Sequence, residues 1–197
     1  MQRVYLTGLK LFSCLLPLGL IMSCYSNEIV AVLLGEQWLA AAPALSVFLV
    51  SIYFRVCLRI NESVLNAVGA VYRKAWRQMV YLILIIVFSI IGCQWGIIGV
   101  AGGVVLAIVI TYILTTGLVL TITQASLAKY AGVHKISIMM FAAVAMSNWA
   151  LHHQVILRTV ANGILFVFML VYMYRLLSEY RKVIRLFDDA GQMQEQG

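Results

Sequence analysis

The sequence predicts an all-α fold, a polytopic integral membrane protein of about six transmembrane helices with both termini cytoplasmic. Three observations predict it. Of the residues, 63% are hydrophobic and only 11% charged, with a mean hydropathy of +0.99. Long apolar runs follow one another with short polar breaks, as in a chain that crosses a bilayer repeatedly. The Lys and Arg residues cluster between those runs, so the formal net charge of +7 reads as membrane topology and not as nucleic-acid contact.

In chain order, the first span covers 9–22. A basic start, an apolar middle and Ser23-Cys24 also fit a secretory or lipoprotein signal. Met22 fits that cleavage pattern poorly, and the charge distribution favours a retained span. Residues 27–34 form a short half-polar segment that Gly35 breaks. The second span starts near Leu39 and continues past Arg59 toward Ala67, with Gly69 as its stop. The third covers 79–91, and Gly92-Cys93-Gln94-Trp95-Gly96 makes a tight turn into the fourth, 97–122. A weakly amphipathic connector, 124–135, precedes the fifth span at 136–151, which Ser147, Asn148 and Trp149 interrupt. The sixth is 155–174. The expected count is six, or five if that interruption denies the fifth. Residues 1–175 are thus the helical bundle, and 176–197 an amphipathic, charged cytoplasmic tail suited to the membrane surface.

Charge orients this arrangement. With both termini inside, the inner segments hold Arg3, Lys10, Arg55, Arg59, Arg73, Lys74, Arg77, Lys129, Lys135, Arg175, Arg181, Lys182 and Arg185. Of 14 basic residues only Arg158 then falls outside, a strong positive-inside signal.

The sequence carries no enzyme pattern: no phosphate-binding Gly-rich loop, no HExxH, no nucleophile elbow and no carboxylate pair within a span. The four cysteines, Cys14, Cys24, Cys57 and Cys93, are scattered without CxxC spacing and read as small buried hydrophobes, not as disulfides or metal ligands. Nothing implies a cofactor. His134, His152 and His153 lie at span ends and read as interfacial, with proton coupling as the alternative. Trp38, Trp95 and Trp149 on the outer side and Trp76 on the inner side read as belt residues. Gly99/Gly103 has the spacing of a helix-packing pair, and Gly92/Gly96 that of a turn.

The sharpest feature is Arg55 and Arg59, spaced i, i+4 on one face of an apolar helix. Arginine within a span costs roughly 2.5–3.5 kcal/mol at the bilayer centre on insertion scales, and marks a site or a snorkelling end. As a site, two guanidinium forks suit an anionic headgroup such as a pyrophosphate. As an anchor, both side chains snorkel to headgroups and Arg59 pairs with Glu62. Asn61 and Asn66 extend a polar strip that fits either reading.

Residues Glu28-Ile29-Val30-Ala31-Val32-Leu33-Leu34-Gly35-Glu36-Gln37-Trp38, followed by Ala40-Ala41-Ala42-Pro43-Ala44-Leu45, resemble a signature of polysaccharide flippases. These are Wzx-type lipid-linked oligosaccharide translocases of the multidrug/oligosaccharidyl-lipid/polysaccharide exporter superfamily. Arg55 matches an arginine common midway through the next helix of that family. Ser63-Val64-Leu65-Asn66-Ala67-Val68-Gly69 resembles its inner turn, with Ala70 where a basic residue is usual. Gly96-Ile97-Ile98-Gly99-Val100-Ala101 resembles the opening of a later span. The likeness covers residues 11–120 and is topological beyond them.

The resemblance implies flipping of an undecaprenyl-pyrophosphate-linked oligosaccharide across the bacterial inner membrane, in lipopolysaccharide or exopolysaccharide biosynthesis. It implies a diphosphate site at Arg55, Arg59 and Asn61, and no enzymatic step. Such proteins pair two bundles, so this chain is expected to be the C-terminal one. Its implied partners are the lipid-linked oligosaccharide, membrane lipids, a further bundle or second chain, and polysaccharide-assembly proteins, but no nucleic acid. The competing readings are a small-molecule exporter of the same superfamily and a non-transporting scaffold of a polysaccharide-assembly complex.

Overall fold

A computed structural model describes residues 2–124, 126–150 and 154–195. Among them the chain is helical with no strand, as its apolar runs and lack of alternating pattern dictate. Helices α1 (Gln2–Phe12) and α2 (Leu15–Cys24) form one kinked span. The kink has a covalent cause: Pro17 has no N–H to give the Ser13 carbonyl, which instead accepts from Leu16 at 3.2 Å. The half-polar segment becomes a short helix, α3 (Ser26–Leu33), followed by a 3-10 turn, Glu36–Ala41.

Helix α4 (Ala42–Ala67) starts with Pro43 in its first turn, where a missing N–H costs nothing. It stops at Gly69, whose φ of +70° reverses the chain without a Cβ clash. Helices α5 (Val71–Gly92) and α6 (Gly96–Thr123) then form an antiparallel hairpin around the 3-10 turn Cys93–Trp95. Helices α7 (Leu127–Ala150) and α8 (Val155–Glu195) complete the bundle. Five segments are long and apolar enough to cross a membrane, and the third, Tyr72–Thr123, is 52 residues long because it contains the whole hairpin. Counting its two arms separately gives six crossings of a multi-pass membrane protein.

Three details differ from the sequence expectation. Helix α5 begins at Val71, eight residues before the expected start, because nothing between Val71 and Gly92 breaks a helix. The basic cluster Arg73-Lys74-Ala75-Trp76-Arg77 therefore lies on helical turns. Ser147, Asn148 and Trp149 do not interrupt α7: Ser147 Oγ and Asn148 Nδ2 donate to the Val144 carbonyl at 2.9 and 2.8 Å. Finally, the segment expected as a separate tail continues α8, which runs 41 residues unbroken. At 1.5 Å per residue that is about 60 Å, twice a hydrocarbon core, so α8 extends well beyond the membrane.

The core lies between α1, α4 and α6, where Tyr5, Leu9, Tyr53, Cys57, Leu65, Tyr112 and Val119 pack together. Polar groups inside it are paired, as burial requires. Tyr5 donates to Asn61 Oδ1 at 2.7 Å, and Asn61 Nδ2 donates to Thr116 Oγ1 at 3.0 Å. The Tyr53 hydroxyl hydrogen-bonds a ring nitrogen of His134 at 3.0 Å, and the Tyr112 and Tyr130 hydroxyls meet. His134, expected at an interface, is thus an interior residue only 7% exposed, its ring edge-on to Tyr53 of α4 and Tyr130 of its own helix. His152 and His153 lie outside the described residues. Elsewhere Ser137 donates to Ser13 at 2.7 Å, tying α7 to the kink, and Asn162 bonds Asn148 across α7 and α8. Cys14 and Cys57 are buried, Cys93 is exposed, and all four cysteines are free.

Candidate functional site

Helix α4 carries two faces, and their separation follows from the 3.6-residue period. Tyr53, Cys57, Asn61 and Leu65 repeat at four-residue steps and are all buried against α1 and α6. Arg55, Arg59 and Glu62 occupy the other face. There they line a cavity of about 340 Å³ closed by Arg77, Gln78 and Tyr81 of α5 and by Ile108 and Thr111 of α6.

The structure therefore brings Arg55 and Arg59 together and leaves Asn61 out. Asn61 is fully buried, and its amide is used on Tyr5 and Thr116 between helices. Asn66, the other member of the expected strip, accepts from Lys74 Nζ at 3.0 Å. The residue that sequence reasoning missed is Arg77. It had been grouped with a polar connection, yet it sits six residues into α5 with its side chain 8% exposed. The signal was present: Arg73 and Arg77 have the same i, i+4 spacing as Arg55 and Arg59.

One carboxylate serves two of these cations. Glu62 Oε1 accepts from Arg77 Nη2 at 2.7 Å, and Glu62 Oε2 pairs with Arg59 Nη1 at 3.1 Å, the contact expected from their spacing. The Arg59 side chain is 84% exposed, so its pair adds little stability. Arg77 is held more fully, since Nη1 also donates to Thr115 Oγ1 at 3.3 Å. Its Nε, however, is buried with no acceptor. Among the described residues no acid pairs with Arg55: Nε reaches Ser51 Oγ at 3.4 Å, and the guanidinium lies 5.3 Å from the Phe48 ring centroid.

Three guanidiniums against a single carboxylate leave the cavity two charges positive. Arg55 stands twelve residues before the end of α4, about 18 Å along its axis, inside the stretch Glu36–Ala67 that is long and apolar enough to cross a membrane. An exposed guanidinium at that depth needs water or an anion around it. The arrangement suits an oxyanion able to take several N–H donors, the role for which the planar guanidinium fork is built. Among the described residues no group of His, Cys, Asp and Glu has the makings of a metal site.

Compared with protein-family models, curated proteins and solved structures, the chain matches none.

Proposed function

We propose that this chain is one helical bundle of a lipid-linked oligosaccharide flippase of a bacterial inner membrane, serving lipopolysaccharide or exopolysaccharide assembly. Its substrate is an undecaprenyl-pyrophosphate-linked oligosaccharide, carried from the inner to the outer leaflet. Unassisted, that movement drags sugars and a diphosphate through hydrocarbon, where a lone charge costs several kcal/mol or more. A basic, hydrated cavity lowers that cost while the polyprenyl tail stays in the lipid.

The observation that carries the reading is Arg55: mid-helix, without an acidic partner among the described residues, and opening onto a cavity that Arg59 and Arg77 also line. In this reading Arg55 is the principal diphosphate contact, Arg59 the second, and Arg77 a fixed positive wall. The same geometry disfavours a cation-coupled small-molecule exporter, since the acid that lines the cavity, Glu62, is already engaged by two arginines.

The test is binding of undecaprenyl pyrophosphate to the purified protein, followed by flipping in proteoliposomes. Losing one charge-assisted guanidinium–phosphate contact predicts that Arg55→Ala weakens binding by about tenfold or more. Unchanged affinity in Arg55→Ala refutes the site. Binding without flux, in vesicles that also contain the partner bundle, assigns the protein to a scaffold role instead.

A further inference from the structure

A second cavity, about 520 Å³, lies on the other side of Arg77, in the groove between α5 and α6. Its chemistry is graded along the hairpin. At its outer end stand Arg73 and Arg77, two and six residues into α5, with the indole of Trp76 69% exposed beside them. Leu118 stands level with Arg73, and deeper in the walls are Leu114, Val80 and Thr111. Cation and indole at headgroup level above an aliphatic channel is the profile of an interfacial lipid site.

The donors left over point the same way. Thr111 and Thr115 also line the groove, but their hydroxyls donate to the Ala107 and Thr111 carbonyls of their own helix. The donors open to a ligand are therefore the Arg73 guanidinium, the Trp76 indole N–H and the Tyr72 hydroxyl. Arg73 is exposed and forms no ion pair among the described residues. Arg77, 93% buried by residue surface, keeps Nε without an acceptor. That N–H is closed off from outside, and Nη1 and Nη2 are taken by Thr115 and Glu62, so Arg77 lends the groove its charge and not a donor.

We infer that the α5–α6 groove is a binding site for one anionic phospholipid, its phosphodiester on Arg73 beside the Trp76 indole, with Arg77 adding charge from behind, and an acyl chain along Leu114 and Val80. The groove shares Arg77 with the α4 cavity but opens on the other side of it, and it does not depend on what that cavity carries. A zwitterionic lipid has the same phosphate but brings its own ammonium, so the net negative headgroup is preferred.

The experiment is native mass spectrometry of the whole chain in mild detergent, with phosphatidylglycerol and phosphatidylethanolamine in competition. Two interfacial arginines predict a preference for phosphatidylglycerol of about tenfold or more. Arg73→Gln reduces that preference severalfold. Leu114→Trp, at a position 54% exposed and so tolerant of a larger ring, fills the channel and removes the bound lipid with the helix content unchanged. Excess inorganic phosphate leaves the lipid in place. Equal retention of the two lipids, or a Leu114→Trp protein that still holds phosphatidylglycerol, overturns the inference. Displacement by inorganic phosphate also overturns it and assigns the groove to a soluble phosphate.

Discussion

Arg77 touches Glu62 and Thr115 from a position where water hardly reaches, so its neighbours must supply what solvent would. Removing one member of such a buried pair strands the other, at roughly 3–5 kcal/mol, whereas removing both is far cheaper. Glu62 retains Arg59 as a second partner and is itself 16% exposed, so the lower end applies here. Arg77→Met is therefore expected to destabilise the protein by about 3 kcal/mol, and Glu62→Gln by about 2 kcal/mol, with the double variant recovering much of the sum. Thermal unfolding of the four proteins in one detergent measures the coupling; strictly additive losses would show that the pair does not act as a unit. At this scale the sequence was legible where chemistry is local. The Arg55–Arg59 spacing and the Arg59–Glu62 pair follow from helix period alone. Arg77 and His134 were misplaced because burial depends on where a neighbouring helix starts and what packs on it, and neither is written in their own surroundings.

Helix boundaries were readable from glycine and apolar length, since Gly69 and the 92–96 turn stop the chain wherever the surrounding sequence leads. Polar residues near an end were harder to weigh. Ser147 and Asn148 look like breaks in α7 until their side chains are seen returning to the Val144 carbonyl. Gly99 and Gly103 pack against α5 as their spacing predicts, and Gly92, expected in the turn, joins that packing. Gly92 faces the Gly99 carbonyl across the hairpin, and Gly103 faces that of Phe88, so these glycines let α5 approach α6 and need no second molecule to pack against. A Cβ at Gly103 would collide with backbone, which cannot rotate away, while one at Gly102 would meet nothing within 4 Å. Gly103→Leu is expected to pry the hairpin open and cost about 2–3 kcal/mol or more, and Gly102→Ala to gain several tenths through better helix propensity. Protease susceptibility and melting temperature of the two variants check this, and a Gly103→Leu protein as stable as the parent would disprove the close approach.

Across the whole molecule, the outside is apolar where it meets lipid: Leu82, Ile83, Ile86 and Ile90 on α5 and Ile164 and Phe168 on α8 are all more than half exposed or close to it. That apolar exterior and the all-helical, multi-span architecture were legible in composition alone. Which helix face carries the polar cavity was not, because it depends on how α4, α5 and α6 pack. Arg55 breaks the apolar exterior in the middle of α4, so its face must be wetted. A single cysteine distinguishes a wetted face from a lipid-facing one, because a charged, membrane-impermeant thiol reagent needs both water and a thiolate. In a background with the four native cysteines replaced, Arg55→Cys is expected to react with such a reagent, and Ile86→Cys to stay inert. Undecaprenyl pyrophosphate, if it occupies the cavity, should slow the first reaction and leave the second unchanged. Equal inertness at both positions would place Arg55 against lipid or protein and remove the hydrated cavity on which the flippase reading depends.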